Sequence, residues 1–164
     1  MKITLKNNRF DASYDEAQDI FHLEQDVVVI PNEIYGKLGA AYIALGHQFE
    51  DGDFHLLPNP LSVLIGSDLL AVKIATAKYN RKKKEQIGIE WEGNRFETGV
   101  DACGTLSAAV DNMTSGLIAK TILNWRTADG LFIDMDVAKL TELLGIILQE
   151  TEANYDAEKA EIEA

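Results

Sequence analysis

The stretch Asn124-Trp125-Arg126-Thr127-Ala128-Asp129-Gly130-Leu131-Phe132-Ile133 decides the fold, because its turn chemistry and its alternation fix a β-hairpin. A two-residue Asp129-Gly130 turn would set Trp125 opposite Asp134. A three-residue loop Ala128-Asp129-Gly130, with Gly130 in the left-handed region, sets Trp125 opposite Ile133 and Leu123 opposite Met135. Only the second register gathers the apolar side chains on one face, and a one-residue slip would move the whole set to the other. It predicts Trp125 as a core residue and Asp129 as a turn residue whose carboxylate bonds its own backbone.

An equivalent unit lies upstream in Ile87-Gly88-Ile89-Glu90-Trp91-Glu92-Gly93-Asn94-Arg95-Phe96-Glu97-Thr98. A Gly93-Asn94 turn would pair Trp91 with Phe96 and Ile89 with Thr98. Arg95 would then face Glu92, and Glu90 would oppose Glu97. Both tryptophans are explained as core, with the Trp91–Phe96 pair adding about 0.5–1.5 kcal/mol beyond burial.

Between these units the pattern is helical. A helix is predicted from Leu61 or Ser67 to Gln86, with Leu69, Val72, Ala75 and Tyr79 along one face and Leu70, Ile74 and Ala77 beside them. Its last turns carry Arg81-Lys82-Lys83-Lys84, which complement the helix dipole. No aromatic interleaving or second basic stretch supports a nucleic-acid groove. Asp101 is the predicted cap of a helix bearing Ala102, Leu106, Ala109, Val110 and Met113 and ending at Gly116. Asp134 or Asp136 should cap a final helix running through Leu140, Leu143, Leu144 and Ile147 toward Tyr155 and Ile162. That helix turns acidic from Gln149 onward. Its end reads either as a solvated tail or as a partner-binding element with Thr151, Tyr155 and Ile162 on one seam.

The N-terminal part reads as a strand at Lys2–Leu5, a candidate strand at Ile20–Leu23, and a β-branched strand Val27–Ile30 closed by Pro31. Asn32 would cap a helix through Ile34, Leu38, Ala41, Tyr42 and Leu45 that stops at Gly46. A hairpin follows, with Asp51-Gly52 placing Phe49 opposite Phe54. Pro58-Asn59-Pro60 is the predicted linker. The expected architecture is α+β: a small β-α-hairpin module over residues 1–58, then a helix-hairpin-helix-hairpin-helix domain over 61–164 with an antiparallel sheet covered by helices.

The order of a basic helix end, the first tryptophan unit, the second and an acidic helix resembles a domain of uncharacterised function found near the C-terminus of bacteriophage tail proteins. The resemblance covers roughly residues 80 to 160, through Gly88, Gly93, Phe96, Thr98, Leu106, Ala109, Asn124, Trp125, Asp129, Gly130 and Leu140. The run Asp26–Tyr35, a short helix and Glu50-Asp51-Gly52-Asp53 look like the N-terminal module of tail-fibre assembly proteins. The resemblance implies a phage tail protein that binds the tail fibre, either as an assembly chaperone or as a minor component of fibre or baseplate. Its place would be the host cytoplasm during assembly, or the virion tail for a retained component. The partner-binding residues expected on this reading are Tyr155, Ile162, Tyr35 and Tyr42.

Composition narrows the alternatives. The chain has 164 residues, enough for one core that buries about two-thirds of the unfolded surface. Apolar residues make up 46% and charged residues 26%, which argues for a packed domain and against disorder. A net charge of −12 repels nucleic acid and anionic membranes. The stretch Met1–Asn8 lacks the apolar run of a signal peptide, and the single Cys103 reads as a small helix residue packed in the interior.

Chemistry-bearing motifs are sparse. His22, His47 and His55 are scattered, Asp51-Gly52-Asp53 lacks the remaining calcium ligands, and no glycine-rich stretch carries the lysine of a phosphate loop. The expectation is therefore no enzyme, no cofactor and no metal. Rival readings are an acidic inhibitor that imitates DNA to block a host nucleic-acid enzyme, and an enzyme acting on surface polysaccharide. The first needs carboxylates spaced along one face, whereas the acids here are spread over hairpins and helices; the second needs two converging carboxylates.

Overall fold

The computed structural model describes residues 2–6, 9–14, 26–34, 36–37 and 62–164. The expected strand Ile20–Leu23, the helix beyond Lys37, the Phe49–Phe54 hairpin, the three histidines and the Pro58–Pro60 linker lie outside the described residues. The chain divides into two compact units, one formed by Met1–Tyr79 with Glu161–Ala164 and the other by Asn80–Ala160.

The first unit holds β1 (Lys2–Lys6), β2 (Arg9–Tyr14) and β3 (Asp26–Val29) in one antiparallel sheet of order β2-β1-β3. β1 and β2 form a hairpin in which Ile3 faces Ser13, with an irregularity between Thr4 and Leu5. On the other side Ile3 faces Val28. After Pro31 the chain turns helical at Asn32–Ile34, the Ile34 N–H donating to the Pro31 carbonyl at 2.9 Å. Helix α1 (Gly66–Ile87) begins in this unit. Thr76 Oγ1 accepts the Val29 N–H at 2.9 Å, and Val28, Ile30, Ile34, Leu64, Val72 and Ala77 are buried.

The second unit takes the end of α1, then β4 (Ile89–Trp91) and β5 (Asn94–Phe96), α2 (Val100–Thr114), β6 (Ile122–Arg126) and β7 (Phe132–Asp136), and α3 (Val137–Glu163) up to Ala160. The α+β class and the helix-hairpin-helix-hairpin-helix order agree with the reading of the sequence. Phe96, Leu106, Met135, Leu140, Leu143 and Ile147 form the core, and Trp91, Trp125, Leu123, Ile133 and Cys103 pack against it. Both indoles point inward but remain half-buried.

The β6–β7 hairpin has the expected register, Leu123 facing Met135 and Trp125 facing Ile133, with Gly130 at φ 84°. The β4–β5 hairpin does not. Its turn is Glu92-Gly93, at φ 47° and 73°, so Ile89 faces Phe96 and Trp91 faces Asn94. A type I′ turn needs positive φ at both central residues, and glycine at the second position meets that need more easily than asparagine one residue later. The slip is by two residues in the pairing, so every side chain keeps its face. Trp91 and Phe96 still meet, diagonally, with ring centroids 6.0 Å apart and planes at 62°. The charged face changes: Arg95 pairs with Glu90, and Glu92 instead accepts from Lys139 Nζ at 2.6 Å.

Three further expectations are corrected. The two hairpins are separate two-stranded sheets, joined by one backbone bond from Ala128 N–H to the Arg95 carbonyl at 2.8 Å. Asp101 is not the cap of α2; Gly99 is, and its N–H donates to Thr151 Oγ1 at 3.0 Å. Asp101 sits in the first turn, where its charge suits the helix dipole. Lastly, α3 beyond Gln149 is not a wholly solvated tail, since Thr151 and Asn154 are both buried. Asp136 is the cap of α3, its Oδ1 accepting the Lys139 N–H at 2.9 Å.

Candidate protein-binding surface

Arg95 holds the β6–β7 hairpin in place. Its Nε and Nη2 donate to Asp129 Oδ1 at 2.9 and 2.8 Å, and its Nη1 donates to the carbonyls of Gln86 and Ile87 at the end of α1. One guanidinium thus caps a helix C-terminus and anchors the loop of the other hairpin. Asp129, expected to serve its own turn, serves this long-range clamp. Thr127 completes the loop: its Oγ1 accepts the Leu131 N–H at 3.1 Å.

With the inner face of β6–β7 on the core, alternation sends the other face outward. That face carries Ile122, Asn124 and Arg126 on β6 and Phe132, Asp134 and Asp136 on β7, all exposed. Phe132 is 69% exposed and Leu131 beside it 62%. Two adjacent large apolar side chains left in water on a hairpin held by several anchors make this face the candidate contact surface.

Beside the hairpin, within the same unit, runs an open groove of about 780 Å³ lined by Arg81, Thr98, Gly99, Trp125, Arg126 and Tyr155 among others. Its end is closed by an ion cluster. Arg81 donates to both Glu85 and Glu158, and its guanidinium lies 4.3 Å from the Tyr155 ring centroid. Burial pulls the Arg81 pKa down, but its hydrogen bonds to Glu158 and Glu85 outweigh it and leave the pKa above the usual arginine value. The remaining charges of the groove are mixed, Lys82 and Arg126 against Glu97 and Asp101. Such a lining favours neither sign of ligand.

Of the expected partner-binding residues, Tyr155 is spent partly on Arg81 and keeps 43% exposure, while Ile162 is half-buried and belongs to the first unit. The Tyr35 side chain and Tyr42 lie outside the described residues. Trp91, Phe96 and Trp125 serve the core as expected. Cys103 lies on α2 with its Sγ 3.6 Å from Thr151 Oγ1. Among the described residues no group of three His, Cys, Asp or Glu could hold a metal ion, and no helix is long and apolar enough to cross a membrane.

The sequence reading missed Arg81 and Arg95 as organising residues. Arg81 was hidden in a run of four cations, and Arg95 alternates correctly with nothing to show that its partner is 34 positions away.

These elements coincide with a known sequence family. The chain belongs to the family described as a domain of unknown function, DUF4376, which matches residues 68–164, more than half of the chain. No curated protein and no solved structure matches it. The match takes in the tryptophan hairpins, the Arg95 clamp and all of α3.

Proposed function

We propose that this DUF4376 chain is a phage tail protein that binds a tail-fibre or baseplate protein without catalysing a reaction, as an assembly chaperone or a bound minor component. The observation that carries the reading is the outer face of the β6–β7 hairpin, with Phe132 and Leu131 left in water on a loop fixed by Arg95. A rigid apolar surface costs little entropy on binding. The acidic balance supports a protein partner that is basic or weakly charged, and it gives a chaperone a means of keeping a fibre subunit apart from its copies by repulsion. The resemblance of the tryptophan units to tail-protein domains supplies the class of partner. On this reading the protein acts in the host cytoplasm during assembly.

The test is co-expression of the full chain with the tail-fibre and baseplate proteins encoded in the same genome, followed by affinity purification and mass analysis. Stoichiometric capture of one of them is the expected result. Failure to capture any, with soluble folded protein on both sides, would sink the proposal.

A further inference from the structure

The β6–β7 hairpin exposes more than an apolar patch, because its hydrogen-bonding pattern sets which backbone groups face outward. The Thr127 N–H donates to the Leu131 carbonyl at 2.8 Å, so Thr127 and Leu131 form a hydrogen-bonded pair. Pairs alternate along an antiparallel ladder. Trp125–Ile133 and Leu123–Met135 are therefore bonded pairs, and Arg126–Phe132, Asn124–Asp134 and Ile122–Asp136 are the open ones. In the open pairs the N–H and C=O groups point away from the partner strand. On β7 these are the groups of Phe132 and Asp134; Asp136, the last residue of β7, also caps α3 with its Oδ1. Among the described residues β6 and β7 form a sheet of two strands, in which this edge has no neighbour.

The same residues that offer edge backbone thus carry the exposed side chains: one aromatic, then two carboxylates at successive outward positions. An edge strand of this kind is a template for another strand. We infer that the β7 edge docks an extended segment of a partner protein, in which an apolar residue lies beside Phe132 and a lysine or arginine lies beside Asp134, with a second beside Asp136. This deepens the fibre-binding proposal and rests on it for the source of the segment.

Charge complementarity selects that occupant. A partner strand brings its alternate side chains to the same face, two residues apart, in step with Phe132, Asp134 and Asp136. Opposite charges at such positions attract and like charges repel. A second copy of this chain fits badly: two-fold pairing of β7 with β7 about Asp134 sets Asp134 against Asp134 and Phe132 against Asp136. Each copy also brings a net charge of −12. The basic residues of the partner are held to the β7 side because Arg126 occupies the β6 side across from Phe132.

The probe, called the lysine peptide, is a capped ten-residue strand whose successive alternate positions carry one valine and two lysines with threonines between them, titrated into the full chain and followed by amide chemical shifts. Its counterpart, the glutamate peptide, has glutamate in place of each lysine. The expected result is saturable shifts at Phe132, Ile133 and Asp134 with the lysine peptide, at least tenfold tighter than with the glutamate peptide and weakening with salt. Asp134→Lys should lower affinity at least tenfold. Asp134→Pro, which removes the carboxylate and also an outward N–H that the β6 ladder does not use, should lower it more than Asp134→Asn. Asp134→Asn, which changes only the charge, keeps the test open if the proline variant fails to fold.

Equal affinity for the two peptides, or shifts confined to other elements, would overturn the inference. So would a concentration-dependent dimer that Phe132→Ser abolishes. The fibre protein separates the two levels. Wild type capturing the fibre while Asp134→Lys captures it equally well overturns the docking edge and leaves the function standing. Wild type binding the lysine peptide at β7 but no fibre protein supports the edge and overturns the function.

Discussion

Replacing Arg81 by methionine is the sharpest test of how α3 is held. Arg81, Glu85 and Glu158 have side chains only 12%, 15% and 11% exposed, so water does little to screen the cluster. Two charge-assisted hydrogen bonds are worth about 1.5–3 kcal/mol each, and the contact with Tyr155 adds about 0.5–2 kcal/mol. These overlap, because one cation serves all three. Truncating one member of a buried pair costs about 3–5 kcal/mol, most of it from the charge left behind. The residual exposure lowers this, and methionine keeps much of the packing, so Arg81→Met should cost about 3 kcal/mol. In a chain of this size that lowers the melting temperature by roughly 6–12 °C. Urea unfolding of Arg81→Met, Glu158→Gln and the double variant, with Tyr155 and tryptophan fluorescence as probes, gives the coupling. It should be about 1.5–3 kcal/mol, the double variant being no worse than Arg81→Met alone. Additive losses with coupling under about 0.5 kcal/mol would refute the argument and restore the view of a solvated α3 end.

Truncation after Leu148 should abolish cooperative unfolding by circular dichroism, since it removes Thr151, Asn154, Tyr155 and Glu158 at once; a folded truncated chain would contradict the packing described. Gly88→Ala should be severely destabilising in a thermal melt, because the new Cβ would stand 1.9 Å from the Phe96 carbonyl oxygen at φ +70°, whereas Gly93→Asn, with open space and φ +73°, should cost under about 1 kcal/mol. Trp125→Ala should cost about 3 kcal/mol in urea, the low end for a core aromatic because the indole is half-buried. Lys139 titrates above the ordinary lysine range, mainly through its bond to Glu92, so its contribution is complete below that range and is lost as pH rises through the folded-state value. Wild type and Lys139→Gln should therefore differ at neutral pH and converge at strongly alkaline pH.

Local chemistry alone determined several features of this protein. The Ala128-Asp129-Gly130 loop, the pairing of Trp125 with Ile133, the span of α1 and the cap at Asp136 all depend on neighbours in sequence, where turn type, alternation and capping act without the rest of the fold. The outward face of β7 was legible for the same reason: once Met135 and Ile133 are assigned inward, Phe132 and Asp134 must point out. The β4–β5 turn fell at Glu92-Gly93 through its own need for positive φ, a local choice that alternation could not show because both registers keep the apolar face. Tertiary structure decided the rest. Asp129 went to Arg95, and the acidic half of α3 was drawn in by Arg81, through partners 34 and 77 positions away. A carboxylate in a sequence looks the same whether it will meet water or a guanidinium, and only the path of the chain in space brings the guanidinium to it.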